Sequence, residues 1–166
     1  MTDTTAPAGY SATQIALHWA VAALVAGQYL FHGAISRAWD ALRAGEAVAF
    51  DPLILDHVAG GGLILAFVVW RLALRLGRGA PAAPAQEPAP LATLAHVAHW
   101  AFYALLIGMA LSGALAWFAD VAPAARAHNV LKIALLALVA LHVAAIPVHK
   151  LALKSDVMRR MIRPAD

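Results

Sequence analysis

The chain has no cysteine among its 166 residues. Disulfides, thiol nucleophiles and thiolate-held metal centres are therefore excluded, and any iron must take other ligands. Charge is scarce too: Asp, Glu, Lys and Arg make up 13% of the chain, against 63% hydrophobic residues and a mean hydropathy of +0.73. A soluble domain carries about a quarter charged residues, so this composition belongs to an integral membrane protein. The polar residues 1–9 put no basic side chain ahead of the first apolar stretch, which does not fit a cleavable signal peptide. No His-Glu-x-x-His motif is present, and His96 with His99 is a weak zinc signal by itself. The excess of +3 charge does not point to nucleic acid, because the basic residues flank apolar segments, where they meet anionic lipid headgroups.

What is present is a set of four long apolar stretches. They predict an all-α membrane bundle in one domain over residues 1–166, with helices at about 11–35, 52–76, 91–117 and 127–151. Each is long enough to cross roughly 30 Å of hydrocarbon. The Ala- and Pro-rich segment 79–90 reads as an extended connection. Arg71, Arg75 and Arg78 lie beside that connection, and Lys150, Lys154, Arg159, Arg160 and Arg163 lie in the C-terminal tail. Because short loops rich in Lys and Arg stay in the cytoplasm, both termini are expected there, in a bacterial inner membrane. On the opposite side, Arg37, Arg43 and Arg126 are mixed with five acidic residues.

This orientation assigns each histidine a depth. His18 and His99 fall near the cytoplasmic (inner) surface, and His57 and His128 near the outer one. His142, fourteen residues after His128, lies roughly 21 Å further along the same helix and within about 40° of the same direction. By depth, His57 falls with His128 outside and His18 with His142 inside, while His99 is a competing partner for His18. Ionisable side chains within a membrane are costly and mark function. Neutral imidazoles at two depths suit two haems held by paired histidines, an arrangement fitted to electron transfer because it leaves iron no open position for oxygen. Gly60, Gly61 and Gly62, after His57, remove side chains where a flat macrocycle could approach the backbone, or simply let helices pack closely.

A set of short motifs, in order along nearly the whole chain, carries a family resemblance. They are Tyr10-Ser11, Gln14-Ile15 and Leu17-His18-Trp19; His57 with Gly61; Arg71-Leu72 with Arg75-Leu76; Leu94-Ala95-His96 with His99 and Tyr103; Leu111-Ser112-Gly113; Leu141-His142-Val143-Ala144-Ala145; and Arg159-Arg160-Met161. With these the chain resembles the bacterial four-helix cytochrome b561 group, which includes the membrane superoxide oxidase. The resemblance implies two haem b groups, with His18 and His142 as axial iron ligands of the inner one and His57 and His128 of the outer one. It also implies electron exchange with the ubiquinone pool. For the superoxide oxidase type, superoxide reduces the outer haem and quinone is reduced near the inner one.

Positive charge near the outer haem would attract the superoxide anion. Arg126 and Lys132, either side of His128, are candidates for that role or for pairing with haem propionates, against a solvated loop charge and a snorkelling lysine. On the inner side, reduced quinone takes up two protons. His149, seven residues beyond His142 and matching a family histidine, is the candidate group at a quinone site, where Pro147 interrupts the helix. The five tryptophans read as interface anchors and pocket packing. Two functions remain open: a superoxide:ubiquinone oxidoreductase, and a haem-carrying electron-transfer subunit that serves a dehydrogenase or a periplasmic redox partner.

Overall fold

The computed structural model describes residues 6–165, and among them there are helices and no strand. Helix α1 spans Ala12–Leu30 and starts on a capping box. Ser11 Oγ accepts from the Gln14 amide at 3.2 Å, and Gln14 Oε1 accepts from the Ser11 amide at 3.0 Å, so two free donors of the first turn are satisfied. Helix α3, Pro52–Gly77, starts with proline in its first turn and the Asp51 carboxylate accepting from the Leu53 amide at 2.8 Å. Helix α4, Ala89–Ala119, ends at Asp120 in the left-handed region (φ 51°), and α5, Ala122–Pro147, follows at once. Three helical stretches, Pro52–Gly77, Ala89–Ala119 and Ala122–Ala152, are long and apolar enough to cross a membrane.

The first span departs from expectation. Instead of one helix over 11–35, α1 stops at Leu30 and the chain turns 55° into α2, Gly33–Arg43. The reason is composition. α2 carries Arg37, Asp40 and Arg43, which hydrocarbon would not accept, and it buries only Ala34 and Ala38, one turn apart. It therefore leaves the bundle axis, and only the bent pair of α1 and α2 taken together is long and apolar enough for a fourth crossing. The last span also differs. The helix begins at Ala122 rather than about 127, so His128 lies well inside it and not at its start. After Pro147, which has no amide hydrogen to give, the helix widens into a π turn, Val148–Ala152, and a short helix α6, Val157–Arg160, follows.

The two described ends of the chain meet at one end of the bundle, hereafter the tail end. The Ala165 amide donates to the Tyr10 carbonyl at 3.1 Å, the Trp19 indole donates to Met161 O at 2.8 Å, and Arg160 Nη1 donates to Ala82 O at 2.9 Å. At the opposite, loop end, Arg43 pairs with Asp120 at 2.9 Å and ties α2 to the α4–α5 connection.

α4 packs along α5, α1 along α3, and α3 along α4. α1 and α5 close the ring with little direct backbone contact. One tie crosses that gap: the Tyr29 hydroxyl donates to the Lys132 carbonyl at 2.6 Å. The core is a thin plug of Val21, Ile64 and Val68 with Leu24, Val25, Phe67, Tyr103, Leu106 and Ile107 around it. Most other large apolar side chains face outward, Ile133 and Leu141 at 69% exposure each, as a lipid-facing surface requires.

Candidate functional site

Two cavities lie on either side of the core plug, one with His18, His99 and His142 on its wall and the other with His57 and His128. At the tail end, His18 on α1 and His142 on α5 face each other with ring centroids 6.3 Å apart. At the loop end, His57 on α3 and His128 on α5 stand 6.4 Å apart. An imidazole nitrogen binds a first-row metal at about 2.0–2.1 Å, and the ring centre lies about 1.1 Å beyond, so two imidazoles trans on one metal have centroids on the order of 6.3 Å apart. Both pairs have that separation. His99 is placed differently: its ring meets His142 edge-on at 5.8 Å, and its Nδ1 donates to the Ala95 carbonyl at 2.6 Å. His96 is exposed and accepts from the Trp100 indole at 3.0 Å.

The loop-end histidine on α5 has a defined tautomer. His128 Nδ1 lies 2.9 Å from the Met109 carbonyl, and a carbonyl can only accept, so Nδ1 carries the hydrogen. Nε2 is left with its lone pair free to bind a metal, the arrangement that outer partners commonly impose on ligating histidines. Ser112 Oγ, 3.3 Å away, is a second neighbour of Nδ1. Gly113 makes room for the ring: a Cβ there would lie 3.1 Å from His128 Cε1. Across the cavity, His57 Nδ1 is buried with no hydrogen-bond partner among the described residues.

The cavities differ in chemistry. The tail-end one, about 550 Å³, has a polar wall of Tyr10, Gln14, Arg71, Arg75 and Tyr103. Arg71 Nη1 donates to the Gln14 carbonyl at 3.0 Å, and the Arg75 guanidinium lies 5.4 Å from the Trp100 ring centre. Burial raises the Tyr10 phenol above its ordinary value of 10.0, against the pull of Arg75 and Arg71, so it stays a neutral donor at physiological pH. Met161 from the tail completes the wall. The loop-end cavity, about 430 Å³, is mostly apolar, with Gln28 and Tyr29 as its polar members besides the histidines. Gly61 lines it with open space where a side chain would be, whereas Gly60 is backed by the side-chain amide of Gln28 on α1.

Three further sequence candidates lie outside the cavity walls. Arg126 is exposed and Lys132 half-buried, and neither lines the loop-end cavity. His149 does not line the tail-end one; its Nδ1 meets Ser155 Oγ at 2.9 Å and its Nε2 the Glu87 carboxylate at 3.7 Å. Sequence reasoning took Arg71 and Arg75 as markers of orientation and as part of the family resemblance, and missed that they face a cavity. Their spacing of four residues, which puts both on one helix face, was the available signal. No group of three or more His, Cys, Asp or Glu converges on one position among the described residues.

Comparison with known proteins identifies the family. The family model for prokaryotic cytochrome b561 matches residues 9–164. A relative named cytochrome b562, from Cereibacter sphaeroides, is 31% identical over 156 residues, which is 94% of this chain and 96% of that protein. The chain therefore belongs to the prokaryotic cytochrome b561 family, and is a multi-pass membrane protein of a group that carries electrons on haem b.

Proposed function

We propose that this protein holds two haem b groups, one between His18 and His142 and one between His57 and His128, and moves electrons across the membrane from superoxide at the loop end to ubiquinone at the tail end. The observation that carries this reading is the presence of two histidine pairs at opposite ends of the bundle, each with the centroid separation that two trans imidazoles need. The tail end, with Arg71, Arg75, Arg78 and the basic C-terminal residues, faces the cytoplasm of a bacterial inner membrane.

Bound haem supplies reversible one-electron chemistry, and bis-histidine ligation keeps oxygen from binding the iron. The chain's own residues do the rest. His128 is held by Met109 with Nε2 toward the cavity. Arg71 and Arg75, on the wall of the tail-end cavity, would supply positive charge to the carboxylates of a macrocycle held there. The overall reaction balances as two superoxide anions giving two electrons and leaving as two molecules of oxygen, while one quinone gains two electrons and two protons. The protons come from the cytoplasmic side, where His149 stands at the end of α5.

A second reading has its own support. Among the described residues no Lys or Arg lines the loop-end cavity, which favours an electron-transfer subunit reduced by a dehydrogenase or a periplasmic redox partner. Stopped-flow absorbance of the detergent-purified protein mixed with superoxide, with and without a ubiquinone analogue, separates the two. Rapid haem reduction followed by quinone-dependent reoxidation supports the oxidase. Haems indifferent to superoxide support the subunit, and a preparation without haem overturns both.

A further inference from the structure

At the tail end, a carboxylate from the linker is shut away from water. The Glu87 side chain is 4% exposed although it lies in a segment of Pro and Ala with no regular structure, just ahead of α4. Its partner is His149 on the π turn, 16% exposed, with Nε2 3.7 Å from Glu87 Oε1. Ser155 Oγ lies 2.9 Å from the other ring nitrogen. The turn is built to present that ring. Pro147 breaks the α-helical bonding, the Ser155 amide donates to His149 O at 2.9 Å, and Lys154 takes the left-handed conformation at φ 49°. π turns within helices are often found at functional sites.

A lone carboxylate in such a place is costly unless it carries a proton or faces a cation. No other charged group lies within ion-pair distance of Glu87 or His149 among the described residues. Asp156 is taken by Arg160 at 2.9 Å, and Lys150 and Lys154 flank the imidazole on its own turn and are exposed. Arg78 at the head of the linker and His96 and His99 on α4 are the remaining titratable groups of the neighbouring elements. The carboxylate thus faces the imidazole across 3.7 Å. The ring is seven residues past His142, roughly 10 Å along the helix axis, close enough to sense one added negative charge through protein of low dielectric.

We propose that Glu87 and His149 form a proton-holding pair that takes up one proton from the cytoplasm when the tail-end redox site gains an electron. The electron goes to the tail-end haem and the proton to the pair, so that the added charge is neutralised without water entering the bundle. A later transfer of both to an acceptor releases the pair for the next turn. This rests on the reading that His18 and His142 hold a haem.

The test is the midpoint potential of each haem against pH, in the detergent-purified full-length holoprotein, for the wild type, Glu87→Gln and Glu87→Asp. In the wild type, the tail-end potential falls as pH rises. In Glu87→Gln that slope drops at least twofold, the loop-end haem is unmoved and the haem content stays at two. Glu87→Asp keeps a carboxylate and restores the slope. Redox-difference infrared spectra provide the second readout: a proton-sensitive carboxyl or imidazole band, shifted in D2O, is present in the wild type and lost in His149→Asn. A slope and bands unchanged by Glu87→Gln and His149→Asn overturn the proposal, as does a wild-type potential independent of pH. A wild type without a tail-end haem overturns the haem reading instead.

Discussion

Gly113→Ala presses on the loop-end site at one known point. The added Cβ would stand 3.1 Å from His128 Cε1 and 3.2 Å from Nδ1, where relaxed contacts lie at about 3.5–4.0 Å. The ring must retreat from α4 by roughly 0.3–0.5 Å. Met109, whose carbonyl holds Nδ1 at 2.9 Å, lies one turn earlier on the same helix, so the retreat stretches that bond to the limit of about 3.2 Å. A hydrogen bond of this kind contributes about 0.5–1.5 kcal/mol, and losing most of it weakens the hold on a loop-end cofactor roughly two- to twelve-fold. The assay is haem retention during detergent dialysis with spectroelectrochemistry of both haems. Gly113→Ala should loosen and shift the loop-end component alone, and Gly113→Leu should lose it. If Gly113→Leu keeps two haems with wild-type spectra, His128 is not held against α4 as described.

His57→Ala or His128→Ala should each halve the haem content, from two to one per chain by pyridine haemochrome, and leave the tail-end spectrum intact; loss of both haems or of neither would break the pairing. Tyr29→Phe removes the donor to the Lys132 carbonyl across the α1–α5 gap and should cost about 0.5–1.5 kcal/mol, read as a lower midpoint of thermal unfolding with both haem spectra unchanged. Arg43→Ala breaks an ion pair whose side chains are 49% and 74% exposed, so it should cost less than about 1 kcal/mol and less again at high salt. A larger, salt-independent loss would mean that α2 is anchored there.

Much of the bundle was legible because hydrophobic length is a strong signal. The stretch expected at 52–76 is the helix Pro52–Gly77, and that at 91–117 is Ala89–Ala119. Depth along straight helices was enough to pair His18 with His142 and His57 with His128, because each rise per residue is fixed. The break after Leu30 was missed because the apolar run continues through Ile35 while the decisive polar residues come later, at Arg37, Asp40 and Arg43. The burial of Glu87 had no local signal at all. It depends on a linker and a π turn, sixty residues apart in sequence, folding against each other at the tail end. Arg71 and Arg75 carried two meanings, a topological one and a chemical one, and only the first can be read from charge bias.

The plug of Val21, Ile64, Val68 and their neighbours shares Tyr103 with the tail-end cavity and Val25, Ile64 and Leu106 with the loop-end one. It offers no charged side chain along which a proton or ion could hop. Under the proposed function, traffic through the plug itself is bare negative charge, compensated by a proton only at the tail end. Each crossing then moves current across the membrane, and a potential of 100 mV, worth about 2.3 kcal/mol for a full traverse, would speed or slow turnover according to its sign. The protein would act as a small electrical element in the membrane as well as a redox one.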